Sequence, residues 1–407
     1  MKEVNFCIPN WENEIAEKHS KLLIVRPKRA KSQYYPTMFH FNQKFYCNFV
    51  SNDYLSLACH SNLIEGLNIG ASKFGVGSTG AITLSGYTEL HHQLSTSIAK
   101  WLGFEKCLIF SNGYQLNVGV FSALTNSNSI IWFDKRCHAS HIDGILLSKS
   151  KFISFIPEDF PKISTKIASQ KDKLHIILTE GTFSMDGTCT YLEQVLQLKK
   201  CYPDNILLII DDAHGIATLN SEGKGTLEPL EINLVDILIG TFGKSFGTQG
   251  GFLVSNSNIA DYLSQTVRSY LFTTSLSPAI VSATLASLAL IKNEYGALQR
   301  LKLADNIKLF QKLARENSLD IYNKDTNSSP IQLIILNDEK KTSILADELM
   351  EAGFFVGKIC YPTVARNNAR LRISLNAEHK SNDIEQLVKL INYKLRKVDE
   401  KVKKLHI

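Results

Sequence analysis

The chain has 407 residues, 44% of them hydrophobic and 21% charged, with 45 Lys+Arg against 39 Asp+Glu and a formal charge of +6. That length allows two or three domains at ~100–200 residues each, and the hydrophobic fraction excludes intrinsic disorder, a collagen-like repeat and a small disulfide scaffold. No apolar run reaches the ~20 residues of a membrane span, the first residues carry early acids and no apolar core, so no signal peptide is expected, and the eight cysteines contain no Cys-x-x-Cys pair, so a soluble protein of a reducing, cytoplasmic compartment is expected.

Elements follow in chain order. A helix is expected over Trp11–Leu23, then a basic, aromatic stretch, giving an N-terminal arm over residues 1–50. A helix over Leu63–Phe74 comes next. Short apolar runs then alternate with helix-length segments: Cys107–Phe110, Ile130–Phe133, Leu174–Thr179, Ile206–Ile210, Ile237–Ile239 and Phe252–Val254. Each has the length of a strand buried on both faces, so residues 51–291 read as a large α/β domain with a mostly parallel sheet. The helix Ala279–Ile291 closes it. Helix Tyr295–Asn317, strand Pro330–Leu336, helix Thr342–Ala352, strand Arg370–Leu375 and helix Asn382–Val398 make residues 292–407 a smaller α+β domain.

Four motifs are rejected. Gly75-Val-Gly-Ser-Thr-Gly80 matches a dinucleotide loop but follows a helix instead of a strand. Gly243-Lys244-Ser245 resembles the end of a phosphate loop, yet Leu238 stands where its first glycine is required. His138 and His141 have ligand-type spacing without a third ligand nearby in sequence, so no metal site is expected. No Gly-x-Ser-x-Gly elbow exists, which excludes that type of serine hydrolase. The basic clusters at both ends (Lys18 to Lys31, and Lys389 to Lys404) read as solvated helix faces. They lack the pattern of a nucleic-acid reader.

What remains lies at strand C-termini, where open α/β sheets hold ligands. Asp211 leaves a fully apolar strand in Asp211-Asp-Ala-His214-Gly, where an acid is costly without a cationic partner; Asp212 beside it reads as a helix N-cap. Lys244 follows another buried strand between Gly243 and Gly247, and desolvation there makes an amine nucleophilic. The turn Ser111-Asn112-Gly113-Tyr114 opens a helix whose free N–H groups suit a phosphate. His138 follows a further strand. A phosphate, a carbonyl for a lysine and a cationic ring nitrogen together point to pyridoxal 5′-phosphate (PLP).

From about Asn48 to His379 the chain resembles the α-oxoamine synthases, a group of fold-type I PLP enzymes. The resemblance rests on Ser51-Asn-Asp-Tyr-Leu55, Ser85-Gly-Tyr87 before His91 and His92, Asp211-Asp-Ala-His-Gly215 and the Lys244 segment. It implies that Lys244 is both Schiff-base lysine and general base, that Asp211 holds the ring nitrogen protonated, and that His138 stacks on the ring. It also implies that His214 and Ser184 contact the ring 3′-oxygen, with Asn112, Gly113, Tyr114 and Thr241 around the phosphate. Thr273 and Thr274 would reach a neighbouring subunit's phosphate in a homodimer. Arg372, with Asn52, would bind the amino-acid carboxylate. The implied reaction is decarboxylative condensation of L-alanine with an acyl thioester, pimeloyl-CoA or pimeloyl-ACP. The alternatives within the family are a glycine-using ligase and a signalling aminoketone synthase. Tyr361-Pro-Thr363 and Val364-Ala-Arg-Asn367 depart from the family pattern on the acyl side of the site.

Overall fold

Six of the seven strands in the main sheet grow from the apolar runs named above. They are β4 (Lys106–Phe110), β5 (Ser129–Asp134), β7 (Leu174–Glu180), β8 (Ile206–Asp211), β9 (Ile237–Thr241) and β10 (Gly251–Ser255). The seventh, β6 (Lys151–Phe155), pairs only with β5 at the sheet edge. Its half-exposed residues give no apolar run. The computed structural model of the chain describes residues 29–188, 191–322 and 328–405, so the helix expected over Trp11–Leu23 lies outside the described residues.

The sheet order is β4-β10-β9-β8-β7-β5-β6. Strands β5 to β9 run parallel, and β10 alone is reversed against β9 and β4. Side chains alternate across each strand, which divides the core in two. Ile109, Ile177, Leu208, Ile210 and Leu238 enter one cluster, while Leu108, Phe110, Ile176, Leu178, Ile209 and Ile239 enter the other. Helices cover both faces, as a parallel sheet requires. At one end of the sheet β4, β5, β7, β8 and β9 all terminate, and the cavity described below lies there.

A second sheet has the order β1-β2-β3-β12-β13-β11. Its strands are β1 (Gln33–Tyr35), β2 (Met38–Phe41), β3 (Lys44–Phe49), β11 (Ile331–Ile335), β12 (Phe354–Ile359) and β13 (Arg370–Ser374). The segment read from sequence as an arm therefore shares a sheet with the C-terminal segment: β3 and β12 pair in parallel, Cys47 opposite Phe354. The helices Pro278–Lys292, Glu294–Glu316, Glu339–Glu351 and Ser381–Leu405 match the expected ones to within a few residues, save the last, which runs further. Among the described residues no helix is long and apolar enough to cross a membrane.

Candidate active site

A cavity of about 190 Å³ opens at the shared strand ends. From β4 the chain turns through Asn112, whose side chain caps the helix Gly113–Leu124 by accepting from Gln115 N at 2.8 Å. Asn112 thus acts on the helix, while the N–H groups of Gly113 and Tyr114 head the helix beside the cavity, without intrahelical partners. Gly251 permits this approach, since a Cβ there would lie 2.8 Å from Gly113 Cα.

Asp211 ends β8 beside Glu180, its register partner on β7. Its Oδ2 accepts from Asn117 Nδ2 at 3.2 Å and faces His141 Nε2 at 3.0 Å, and its Oδ1 accepts from Ala213 N at 3.0 Å. Burial pushes the Asp211 carboxyl up, but His141, Lys244 and the Ala213 amide outweigh it and hold it below the ordinary carboxylate range. His138 caps the next helix, accepting from Ser140 N, and donates its backbone N–H to Glu180 Oε1 at 2.5 Å. Its imidazole lines the cavity, and burial lowers its pKa.

Asp212 departs from the expected N-cap. No helix follows it; the carboxylate is fully buried, accepts from Thr226 N at 2.7 Å and from Thr226 Oγ1, and packs against Gly181, Gly215 and Gly225.

Lys244 follows β9 in a turn held by Gly243 N donating to Thr241 Oγ1 at 3.1 Å and by Gly247 at φ +68°. Thr241 Oγ1 in turn donates to Gly250 O at 3.0 Å. Lys244 lines the cavity, and while its carbonyl accepts from Gly247 N at 2.8 Å, its amine has no hydrogen bond or ion pair among the described residues. Burial lowers its pKa to about 8, against the opposing pull of Asp211 and Glu180.

On the other side, Arg372 is buried on β13. Its Nε donates to Ser184 O at 2.8 Å, Nη1 to Ser374 Oγ at 2.8 Å and Nη2 to Asn52 Oδ1 at 3.2 Å. Three of five N–H groups are thereby engaged, which fixes the plane of the guanidinium and leaves a donor on each terminal nitrogen. Tyr54 Oη donates to Asn52 Oδ1 and contacts His214 Nδ1. Burial, with Lys244 and Arg372 nearby, holds His214 well below the ordinary imidazole value.

The structure therefore brings together Lys244, Asp211, His138, His214, Ser184, Gly113, Tyr114 and Thr241 around one cavity, with Arg372 and Asn52 bonded to its margin through Ser184 and Tyr54. Thr273 and Thr274 are not among the residues lining this cavity: Thr274 is exposed, its carbonyl accepts from Ser111 Oγ at 2.8 Å, and it bridges Ala81 beside the exposed Phe272. Sequence reasoning missed Asn117, Glu180 and Tyr54 as partners of the site. Asn117 sits four residues after Gly113, one helical turn, and that spacing was the available signal. A larger cavity of about 530 Å³ between residues 218–229 and the helix Glu294–Glu316 is mostly apolar. Its one cation, Arg300, already bonds Ile291 O and Ser221 O.

Residues 46–391 match the family described as Aminotransferase class I and II. The 8-amino-7-oxononanoate synthase of Marinomonas sp. (strain MWYL1) is 37% identical over 395 residues, 95% of this chain and 96% of that one. Among solved structures, 8-amino-7-oxononanoate synthase from Francisella tularensis is similar at TM-score 0.73 and 31% identity, covering 88% of this chain and 98% of that chain. A serine palmitoyltransferase (SPT) solved with PLP shares the fold at TM-score 0.89 and 24% identity, covering 96% and 98%. The chain belongs to the aminotransferase class I and II family and, within it, to the PLP-dependent α-oxoamine synthases.

Proposed function

We propose that this chain condenses L-alanine with a pimeloyl thioester, carried on CoA or on acyl carrier protein. The products are 8-amino-7-oxononanoate, CO2 and the free thiol, a step of biotin synthesis. The observation that carries the reading is Lys244, a desolvated and unpaired amine in the same cavity as an ionised Asp211. The donor set fits PLP: free N–H groups at a helix start for its phosphate, a carboxylate for its ring nitrogen, and a buried Asn117 Oδ1 with no partner among the described residues.

When bound, PLP supplies a carbonyl for the lysine and a protonated ring that draws electrons from the substrate Cα. The residues do the rest. Lys244 Nζ, made easier to deprotonate by desolvation, would hold the cofactor and serve as base for the Cα proton. Asp211 keeps the proton on the ring nitrogen. His138, kept neutral by burial, covers a ring face. The Arg372 fork orients the alanine carboxylate, and neutral His214 with Ser184 adjoins the ring 3′-oxygen. Gly113 and Tyr114 N–H groups, with Thr241, hold the phosphate.

A second copy of the chain completes the unit in this reading. Thr273 and Thr274 stand on a strap whose Phe272 is 71% exposed, beside the loop carrying Leu84 at 86% and Val76 at 80%. Such apolar side chains suit a homodimer interface.

The test is a substrate panel on purified protein loaded with PLP: L-alanine, glycine and L-serine, each against pimeloyl-, acetyl- and palmitoyl-CoA. Thiol release with alanine and the pimeloyl thioester is expected. Release confined to glycine with acetyl-CoA, or to serine with palmitoyl-CoA, would replace the proposal by a sister activity.

A further inference from the structure

Against Asp211 lies His141, a residue that the reaction above does not use. It is 0% exposed. Neither ring nitrogen has an aligned hydrogen-bond partner, yet both face carboxylates: Nε2 is 3.0 Å from Asp211 Oδ2 and Nδ1 is 3.7 Å from Glu180 Oε1. A neutral imidazole has one bare acceptor nitrogen, and such a nitrogen facing a buried carboxylate is repulsive. An imidazolium instead turns an N–H toward each acid and offsets one of their two charges. Phe121 packs against the ring in a T-shaped contact, ring centres 6.2 Å apart.

We infer that His141 is a positioning residue: a buried imidazolium that fixes Asp211 as an oriented, ionised carboxylate and couples it through Glu180 to the backbone of His138. Glu180 Oε1 is the shared atom, accepting from His138 N while it faces His141 Nδ1. Burial works against the charge on His141, but Asp211, Cys137 and Glu180 outweigh it and hold its pKa well above the ordinary value. The acid under the ring nitrogen and the imidazole over the ring face are thus set by one buried chain of charges. Cys137, His141 and Glu180 also bring donor atoms within 4.8 Å of one another. The buried Cys137 thiol is pushed up to about 12 and keeps its proton, and His141 Nε2 is turned to Asp211, so a charge chain describes the cluster better than a metal site.

This inference rests on the PLP reading for its consequence, though not for its first measurement. Histidine-ring 15N NMR on the cofactor-free protein is expected to show both His141 nitrogens protonated at pH 8. A neutral His141 there would overturn the proposal whether or not the protein takes PLP. Failure to take up PLP would instead sink the proposed function alone. In the loaded protein, His141→Leu is expected to shift the pH midpoint of the cofactor's visible band by about one unit and to lower kcat about tenfold at near-constant KM for alanine. His141→Gln, which keeps a donor without a charge, should restore less than half of that shift. An unmoved midpoint in folded His141→Leu would overturn the coupling. Should that variant fail to fold, the NMR result on the unaltered chain decides.

Discussion

Tyr54 Oη and His214 Nδ1 lie 2.8 Å apart in the buried wall of the site. A phenol carries one proton, and Tyr54 donates it to Asn52 Oδ1 at 3.0 Å. The bond to His214 is therefore donated by Nδ1–H, which leaves Nε2 bare. Replacing Tyr54 by Phe strands that buried donor. The expected loss is about 1–3 kcal/mol of stability, read as a lowered melting temperature in a protein whose circular dichroism is unchanged.

Lys244 gives a pH prediction for cofactor uptake. With its pKa lowered to about 8 by burial, the amine is protonated and inert below that value and nucleophilic above it. The rate at which cofactor-free protein captures PLP should rise through pH 8 and then level off. Lys244→Ala should show no borohydride-stable adduct at any pH. A rate flat from pH 6 to pH 10 would refute the assignment.

Asp211→Asn keeps the shape of the side chain and removes the charge proposed to face the ring nitrogen. We expect a folded protein whose turnover falls about 100-fold or more, the scale of losing one preorganised electrostatic group. Steady-state kinetics beside far-ultraviolet circular dichroism would separate this from misfolding.

Arg372→Lys replaces a planar fork by a point charge. Loss of a bidentate contact predicts a KM for L-alanine raised about tenfold or more, with the KM for the acyl thioester changed little. Equal effects on both substrates would contradict a carboxylate role.

Asp212 links stability to pH. Burial lifts its carboxyl from 3.8 to about 7, against the opposing bonds from Thr226. The folded chain therefore holds a proton that the unfolded chain releases at pH 3.8. The stability from this group is complete below that pH and is lost as pH rises through about 7. Asp212→Asn should flatten the dependence of melting temperature on pH across this window.

The sheet strands buried on both faces were readable because continuous apolar runs bounded by polar residues have few other uses. Thus Leu174–Thr179 falls within β7 and Ile206–Ile210 within β8. The reversed direction of β10 was not readable, since a run such as Phe252–Val254 carries no sign of its partner's orientation. Strands β1 to β3 and β12 were missed for a related reason. β12 contains Gly357 and Lys358 and becomes a strand through its distant partners β3 and β13. In the site, Lys244 and Asp211 were legible as ionisable groups leaving apolar strands. His141 was set aside with His138 once their ligand-type spacing found no third ligand, and nothing in the sequence signals that the helix start turns one toward the cavity and the other toward Asp211.

The pairing of β3 with β12 also bears on how the protein is made. Cys47 waits for a partner about 300 residues downstream, a separation that makes closure slow. While the chain leaves the ribosome, the β3 edge stays unpaired, a hazard for association with other nascent chains. Asn52 follows β3, and Arg372, which bonds it, lies on β13, the strand paired with β12. A chain still in synthesis can therefore lay down the large sheet and Lys244, but it acquires the Arg372 guanidinium and its bond to Asn52 only once β13 has emerged.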